Sequence, residues 1–367
     1  MRTGWRAIGA AVLLQLGCGQ EATTSRAEAK PQQDGGELQP IVAATVVSYN
    51  VENLFDTKND PALQGDNEYL PEGELRWTEE RYRTKLKHLA EAIAMSGPEL
   101  PMIIGLVEVE NAQVALDLAI TPPLDKGNYI LQHFDSPDER GIDVALLVQD
   151  GPLCRADFAE ALAVHLPGDA TRDVLYARLL LENGEALHIF VNHWPSRREG
   201  VRESEPKRMA AAAVVRKKVD AILTVDANAR IIIMGDLNDA PLDRSIRDGL
   251  AASLDTSSKD RDLYDLVNLD ERPNAGSHQF DGEWAYLDHI IVSRGMLWPR
   301  SGFHALSAGA VQDSRLLFDH PRFGSSPNRT YGGRGVYHGG YSDHLPVVLR
   351  MAVNDEAPPD TSGGASD

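Results

Sequence analysis

The chain has 367 residues, a formal net charge of -19 at pH 7 and two cysteines. Such a negative charge argues against a protein that holds nucleic acid through a broad basic surface, because that kind of binding depends on neutralising phosphates. It does not argue against an enzyme, which can process polyanions through a few local cations and a metal. Two cysteines are too few for a zinc site built on thiolates. No apolar run reaches the roughly 20 residues that a membrane span needs.

The first 18 residues have the plan of a bacterial secretory signal. Two arginines precede an apolar run from 7 to 16, and the run ends at Gly17 and Cys18. We therefore expect export, with the mature protein secreted, periplasmic or anchored at the cell envelope. Gly17 and Cys18 resemble a lipoprotein cleavage site, where Cys18 would carry a lipid anchor. An ordinary secreted protein is the alternative, since Gln15 stands where a lipoprotein signal has an aliphatic residue.

Composition divides the rest of the chain into three parts. Residues 19–43 are rich in Gln, Glu, Ala, Gly and Ser, which predicts a disordered linker. Residues 44–352 alternate apolar runs with polar turns and predict one large α/β domain. Residues 353–367 predict a disordered polar tail. We expect the protein to be a monomer.

Apolar runs and turn residues predict the elements of this domain. Thr78 is expected to cap a helix that ends at Ala94, because two glutamates occupy its first turn and apolar residues follow at helical spacing. Further helices are predicted at 113–119 and 206–225. Residues 299–340 are glycine-rich and weakly periodic, which predicts a long functional or mobile loop. In chain order, the predicted strands are 41–49, 102–107, 129–134, 142–148, 174–181, 186–192, 231–234, 284–292 and 347–351.

Several of these strands begin or end at polar side chains that could meet at one rim. Asp236 and Asn238, for example, follow the buried run at 231–234. Asparagine, aspartate and glycine after a strand are also ordinary turn residues, and a histidine at a strand end is more often hydrogen-bonded than reactive. The candidates are Asn50, Glu108, His193, Asp236, Asn238, Asp288, Asp343 and His344.

The residue types in this set are those of a hard divalent-cation site. Carboxylates and amides are suitable ligands for Mg²⁺, Mn²⁺ or Ca²⁺. The two histidines are then available to transfer protons or to stabilise negative charge. A phosphoester is the natural substrate, because its hydrolysis needs charge neutralisation, a base that prepares water, and donors that hold the charge of the transition state. Two packed β-sheets flanked by helices would bring these strand ends together.

Seven motifs occur in the order found in the endonuclease/exonuclease/phosphatase superfamily, and they cover about residues 44 to 352. They are SYNVENLF, GLVEVEN, RGIDVALL, VNHWPSR, IIIMGDLND, YLDHIIVS and YSDHLP. The chain resembles most the secreted bacterial branch of that superfamily. The resemblance implies a DNase I-like fold, a four-layered α/β sandwich in which two packed, mostly antiparallel β-sheets are flanked by helices.

The resemblance also implies which residues bind a metal. Glu108 matches the metal-binding glutamate of the family, and Asn50 matches an asparagine close to the metal and the phosphate. Asp343 matches a second carboxylate on the metal side. The implied cofactor is Mg²⁺, with Mn²⁺ or Ca²⁺ as alternatives.

Five further residues match catalytic positions of the family. Asp236 and Asn238 match the pair that positions and activates the attacking water. His193 matches a histidine that binds the scissile phosphate or protonates the leaving oxygen. His344 matches a histidine that stabilises the pentavalent phosphorus, and Asp288 matches the aspartate that holds it in the required tautomer. The division of acid and base roles between the histidines stays open.

Four residues are candidates for binding phosphate or substrate. Arg140 and Arg197 are plausible because a guanidinium matches phosphate in a bidentate way. Asn53 and Asp143 are included because they lie within the family motifs, although Asp143 could equally cap a strand. Glu110 stands where some nucleases of the family carry a cation, which argues against tight binding of duplex DNA.

The sequence thus predicts a divalent-metal-dependent phosphodiesterase, with an extracellular nuclease of low sequence specificity on DNA or RNA as the first choice. The alternative on the same scaffold is a phosphoesterase for phospholipids, as in sphingomyelinases, or for sugar or inositol phosphates. Sphingomyelinase-like action would need exposed aromatic residues near the rim, and the sequence shows no clear hairpin of that kind. An alternative of another class is a surface binding protein that has kept the fold without catalysis.

Overall fold

Two β-sheets with helices on their outer faces form the part of the chain that the structure describes. The computed structural model describes residues 42–61, 63, 65–151, 154–267, 275–299 and 302–354. The predicted signal, nearly all of the predicted linker and nearly all of the predicted tail lie outside these residues.

The helices are α1 (Glu79–Ala94), α2 (Ala112–Ala119), α3 (Val201–Val225) and α4 (Arg294–Leu297). The strands are β1 (Ala44–Leu54), β2 (Ile103–Val109), β3 (Tyr129–His133), β4 (Asp143–Gln149), β5 (Cys154–Leu162), β6 (Val174–Leu181), β7 (Ala186–His193), β8 (Arg230–Asp236), β9 (Ala252–Ser253), β10 (Leu263–Asp265), β11 (His278–Phe280), β12 (Glu283–Ala285), β13 (Asp288–Ser293), β14 (Gly302–Ala310), β15 (Leu317–His320), β16 (Gly324–Pro327) and β17 (Val347–Asn354). Within the described ranges, no helix is long and apolar enough to cross a membrane.

Each large sheet is mostly antiparallel, as predicted. The first sheet has six strands in the order β14-β17-β1-β2-β4-β3, and only β1 and β2 run parallel. The second has seven strands in the order β5-β6-β7-β8-β13-β10-β9, where β7 with β8 and β9 with β10 are parallel. Each sheet therefore contains a central parallel pair whose carboxyl ends point to the same edge.

Alternation along the central strands explains why their apolar runs are continuous. In β8, Ile232 and Met234 pack into a core between the two sheets, while Ile231 and Ile233 pack into a second core on the α3 side. A strand that is buried on both faces needs apolar residues at every position. Residues of β1, β2 and β4 divide in the same way between the inter-sheet core and the core beneath α1 and α2. The predicted four-layered sandwich is confirmed.

Helix α1 begins as predicted, because the Thr78 side chain accepts a hydrogen bond from the Arg81 backbone N–H (3.4 Å). Helix α3 begins at Val201, five residues before the predicted start at Pro206. The predicted start rested on the alanine-rich composition of residues 206–225. Pro206 instead lies inside the helix.

The prediction of a long loop at 299–340 is wrong. This segment contains β14, an edge strand paired along its length with β17, and the hairpin of β15 and β16. Glycine and alanine fill much of β14, and these residues have low strand propensity, so the pairing with β17 decides the structure. Strand β5 was not predicted either, because its alanine and glutamate residues are typical of a helix.

Two short hairpins carry exposed phenylalanines, contrary to the expectation that no such hairpin exists. Phe280 lies at the end of β11, which pairs with β12, and its side chain is 74% exposed. Phe318 lies in β15, which pairs with β16, and is 44% exposed. Neither hairpin could be predicted from the sequence, because each of its strands is only three or four residues long.

We predict that Gly235→Ala destabilises the protein severely. Gly235 has φ of +132°, and a Cβ there would lie 1.9 Å from the carbonyl oxygen of Asn192 on β7. Backbone strain and the clash together should lower the free energy of unfolding by more than about 2 kcal/mol, measured by urea denaturation.

The matched control is Gly184→Ala. Gly184 has φ of +80° but open space around its Cα, so only the backbone cost of about 1 kcal/mol applies. If the two variants lost equal stability, the clash between a Cβ at position 235 and the Asn192 carbonyl would not contribute, and this explanation would be contradicted.

Candidate active site

The topology brings the predicted strand-end residues to one rim of the sandwich. Asn50 and Glu108 lie toward the ends of β1 and β2, and His193 and Asp236 end β7 and β8. Strand β13 runs antiparallel to β8, so its first residue, Asp288, pairs directly with Asp236. Strand β17 runs antiparallel to β1, which places Asp343 and His344 at the same rim, just before β17 begins.

The Asp236 carboxylate is the centre of this arrangement. Its Oδ2 atom accepts a hydrogen bond from Asn50 Nδ2 (3.1 Å) and lies 3.9 Å from the Nε2 atoms of both His193 and His344. Its Oδ1 accepts a hydrogen bond from the backbone N–H of Asn238 (2.9 Å). Burial, and then the nearby Asp288 carboxylate, raises the pKa of Asp236 to about 7. A carboxylate with this pKa can exchange a proton near neutral pH.

Asn238 has a left-handed backbone, with φ of +52°. Its amide donates a hydrogen bond to the Trp194 carbonyl (3.0 Å), which joins the turn after β8 to the segment after β7. The next residue, Asp239, is of a type common in turns. It is buried and paired with the buried Arg208 of α3 (2.7 Å), so this turn is anchored to the helix layer.

His344 is held by Asp288, as the resemblance implies. Nδ1 of His344 lies 2.6 Å from Oδ2 of Asp288, and both side chains are buried. Burial alone would lower the pKa of His344, but the carboxylates of Asp288, Asp236 and Asp343 raise it well above its usual value. The His344 ring is therefore a charged donor that directs Nε2 towards Asp236.

His193 differs from His344 in its charge. Burial, with the positive charges of Arg172 and Arg140, holds the pKa of His193 well below its usual value. Its Nδ1 is buried and has no hydrogen-bond partner among the described residues, whereas Nε2 lies 3.7 Å from Oε1 of Glu108. The surroundings thus shift the pKa values of the two histidines near Asp236 in opposite directions, up for His344 and down for His193.

Glu108 and Asp343 lie on either side of the rim. Oε2 of Glu108 accepts a hydrogen bond from the Asn53 backbone N–H (3.0 Å), and Oδ2 of Asp343 accepts one from Arg329 Nη2 (2.7 Å). Burial would raise the pKa of Asp343, but His344 and Arg329 hold it at about 2. The side chains of Glu108 and Asp343 are 13% and 24% exposed, and carboxylate oxygens are the ligands that a hard divalent cation prefers.

Two compact groups of possible metal ligands lie at this rim. Their ligand atoms lie within 4.8 Å of one another, and the groups are His278 with Asp343 and His344, and Asp236 with Asp288 and His344. Glu108 belongs to neither group, so the two predicted metal-binding carboxylates, Glu108 and Asp343, do not share one of these compact groups. The convergence of several carboxylates fits a divalent cation, because its charge would offset their mutual repulsion.

The four predicted substrate residues have different surroundings. Arg140 donates a hydrogen bond to Oδ1 of Asn53 (2.7 Å) and lies 3.7 Å from Glu108, so both Arg140 and Asn53 border the site. Asp143 instead accepts a hydrogen bond from the Ser136 backbone N–H (2.9 Å) and contacts the ring of His133 (3.1 Å). It therefore fixes the turn between β3 and β4.

Arg197 is also placed differently from the prediction. Its Nη2 atom lies 2.7 Å from Asp243 and 3.2 Å from Asp239, so its guanidinium holds the turn after β8. Glu110, expected to oppose a DNA backbone, is buried and accepts a hydrogen bond from the Asp56 backbone N–H (2.7 Å). Because its carboxylate is withdrawn from the surface, it provides no argument against duplex binding.

Sequence reasoning missed a charged network behind Asp343, in which Glu52 and Lys85 are buried and Arg329 is half-exposed. Arg329 contacts both Asp343 and Glu52, and Glu52 forms an ion pair with Lys85 of α1 (3.7 Å). Lys85 Nζ also donates a hydrogen bond to the Tyr341 carbonyl (2.7 Å). The available signal was a lysine on the apolar face of α1. His278 was also missed, and its ring centroid lies 4.6 Å from that of His344.

Residues 45–353 match the model of the Endonuclease/Exonuclease/phosphatase family. The chain belongs to this family. Membership makes the protein an enzyme of the phosphoesterase type, and enzymes of this family generally use divalent metals. No sequence among the curated proteins matches the chain.

Solved structures share the fold at low sequence identity. A mannosyl-6-phosphatase from Bacteroides thetaiotaomicron VPI-5482 is 16% identical with a TM-score of 0.52, over 84% of this chain and 100% of that chain. The human Nocturnin catalytic domain with bound sulfate is 17% identical with a TM-score of 0.50, over 85% and 94%. D. rerio TDP2, complexed with single-strand DNA product, is 14% identical with a TM-score of 0.50, over 84% and 98%.

We predict that Asp288→Asn lowers kcat on a phosphodiester by roughly 100-fold to 10,000-fold, the range that a positioned acid or base contributes. The amide cannot stabilise the charged ring of His344 as the carboxylate does. Circular dichroism and thermal unfolding would show that the fold is retained.

The chain offers a matched control, because it contains a second buried histidine–aspartate pair. Nδ1 of His289 lies 2.8 Å from Oδ2 of Asp265, and its Nε2 lies 2.8 Å from the Asp239 carbonyl. Because neighbouring residues of a strand point to opposite faces, His289 points away from the side of β13 on which Asp288 contacts His344. Asp265→Asn should lower stability and leave kcat near that of the parent. Equal activities of Asp288→Asn and Asp265→Asn would show that the Asp288–His344 pair is structural only.

Proposed function

We propose that the protein is a divalent-cation-dependent phosphodiesterase that hydrolyses nucleic acid with little sequence preference, with Mg²⁺ as its ion. The observation that carries the proposal is the position of the Asp236 carboxylate, whose Oδ2 atom lies 3.9 Å from the Nε2 atoms of both His193 and His344. A base and two hydrogen-bonding rings around one point are what the hydrolysis of a phosphoester requires.

The charge of the rim favours a diester over a monoester. A terminal phosphate carries about two negative charges near pH 7, since its second pKa is about 6, whereas a diester carries one. The arginines beside the site are already engaged, Arg140 with Asn53 and Glu108, and Arg329 with Asp343. With the strand-end carboxylates around them, they leave little positive charge for a dianion.

Glu108 and Asp343, with Asn50, are the residues that would hold the cation, whose charge would neutralise the phosphoryl oxygens. Asp236 accepts the proton of the attacking water, and the Asn50 and Asn238 contacts hold its two oxygens in place. His344 donates from a charged ring to the phosphoryl oxygens as their negative charge grows. His193 donates a hydrogen bond to the substrate from a neutral ring. The P–O bond to the leaving oxygen breaks as the water oxygen bonds to phosphorus, and the leaving oxygen takes a proton from solvent water.

Phospholipid hydrolysis is the second candidate, and one observation favours it. Phe280 and Phe318 are exposed on two hairpins, which is the feature a membrane-binding phosphodiesterase would need. Export or a lipid anchor at Cys18 remains a proposal that rests on the sequence of residues 1–18.

The test is a parallel assay of the purified protein with Mg²⁺, Mn²⁺ or Ca²⁺ against plasmid DNA, RNA, sphingomyelin vesicles, a model bis-ester and mannose 6-phosphate. We expect cleavage of nucleic acid and the bis-ester, and loss of both with EDTA. His193→Ala should lower kcat/KM by about 100-fold or more.

The control is His188→Ala on the same strand, whose Nδ1 lies 2.8 Å from the Tyr176 hydroxyl on the outer face of the sheet. It should retain parental activity. Hydrolysis of mannose 6-phosphate alone, or of sphingomyelin alone, would contradict the nuclease proposal. If the protein cleaves none of these substrates with any of the three ions, it is not a phosphodiesterase. Parental activity of His193→Ala would contradict its assigned role.

A further inference from the structure

A cleft of about 370 Å³ opens beside Asp343. Two hairpins, β11–β12 and β15–β16, form its walls together with the segment before β17. We call it the aromatic cleft, and its defining residues are Phe280, Phe318, Phe323, His338, Arg329 and Asp343.

Aromatic side chains are concentrated in this cleft, and two of them expose apolar surface to solvent. The chain has eight phenylalanines, and three of them line this one cleft. Phe280 is 74% exposed and Phe318 is 44% exposed, although phenylalanine is usually buried. Grouped exposed apolar side chains mark binding sites more often than single ones do.

The polar groups of the walls are used to hold the hairpins together. The Gln279 side chain donates a hydrogen bond to the Phe323 carbonyl (3.2 Å), which joins the two hairpins. The Ser326 hydroxyl donates to the Phe318 carbonyl (3.3 Å). The His320 ring stacks on Phe323 at 4.8 Å. These contacts occupy polar groups of the walls, so the exposed rings of Phe280 and Phe318 are the main apolar surface that a ligand would meet.

The cleft is continuous with the candidate active site. Arg329 lies at its inner end and donates a hydrogen bond to Asp343, which precedes His344 in the chain. A phosphate bound at His344 would therefore lie next to Asp343 and Arg329, which also line the cleft.

We propose that the aromatic cleft binds the nucleobase next to the scissile phosphate by stacking it on Phe318 and Phe280. This inference rests on the proposed function. Stacking suits an enzyme of low sequence specificity, because every base has a flat face. The rings then select a base-bearing diester without selecting which base it carries.

The surroundings of the cleft favour a base over a membrane surface or a sugar. Exposed residues Asp281, Glu283 and Asp319 lie on the same hairpins as the exposed Arg322, and this mixed charge differs from the basic surface that binds an anionic membrane. A sugar is recognised mainly through polar side chains that pair with its hydroxyls, and here Gln279 and Ser326 are already bonded to the backbone.

The test compares a short thymidine oligonucleotide with one of equal length in which abasic residues replace the thymidines, so that the phosphates are identical. Phe318→Ala should lower kcat/KM for the thymidine oligonucleotide by about 10-fold, from the usual contribution of one base–aromatic stack. It should leave the abasic oligonucleotide nearly unchanged. Phe280→Ala should act in the same direction.

The matched control is Phe158→Ala, since Phe158 is 47% exposed on β5, the edge strand of the second sheet. It should leave both substrates unaffected, and thermal unfolding would show that every variant is folded. If the wild type cleaves both oligonucleotides and Phe318→Ala changes their rates equally or not at all, the cleft inference is wrong and the proposed function stands.

Two other outcomes would overturn the inference. Selective loss of sphingomyelin hydrolysis in Phe318→Ala would make the cleft a membrane-contact surface. Failure of the wild type to cleave any phosphodiester with any ion would overturn the proposed function, and the base site with it.

Discussion

Two buried carboxylates, Asp236 and Asp288, face each other across neighbouring strands, and the site is arranged around their charge. The spacing of a β-sheet prevents them from separating without loss of strand pairing. Their repulsion contributes to the raised pKa of Asp236. Asn50 stabilises one of these acids and His344 contacts both. The arrangement provides a carboxylate that can accept a proton and a histidine that remains charged, which is a division of roles set by environment.

The helix layer supports the rim through charge as well as through packing. Lys85 of α1 is buried against Glu52 and a backbone carbonyl, and Glu52 in turn contacts Arg329. Removing one partner of a buried ion pair leaves the other charge uncompensated, so such a network holds its members in fixed positions. Arg329 connects it to Asp343 and borders the aromatic cleft. One outer helix thereby helps to position both the catalytic rim and the proposed base site.

Much of the fold could be predicted because the central strands are buried on both faces and their apolar runs are continuous, as at Ile231 to Met234. The strand-end residues could be found because chemistry restricts their type. Two groups of features could not be predicted. Strand β14 and the aromatic hairpins depend on pairing partners rather than on local propensity. The surroundings of Arg197, Glu110 and Lys85 depend on distant parts of the chain, so their roles became visible only in the structure.

The central claim, that the strand-end carboxylates form a divalent-cation site, is tested most directly by calorimetric titration of the protein with Mn²⁺. Glu108→Gln should abolish or greatly weaken binding. Glu110→Gln is the matched control two residues away, because Glu110 is buried against the Asp56 backbone and a glutamine oxygen can still accept that hydrogen bond. It should bind Mn²⁺ as the parent does. Equal binding by the parent and both variants would contradict the account.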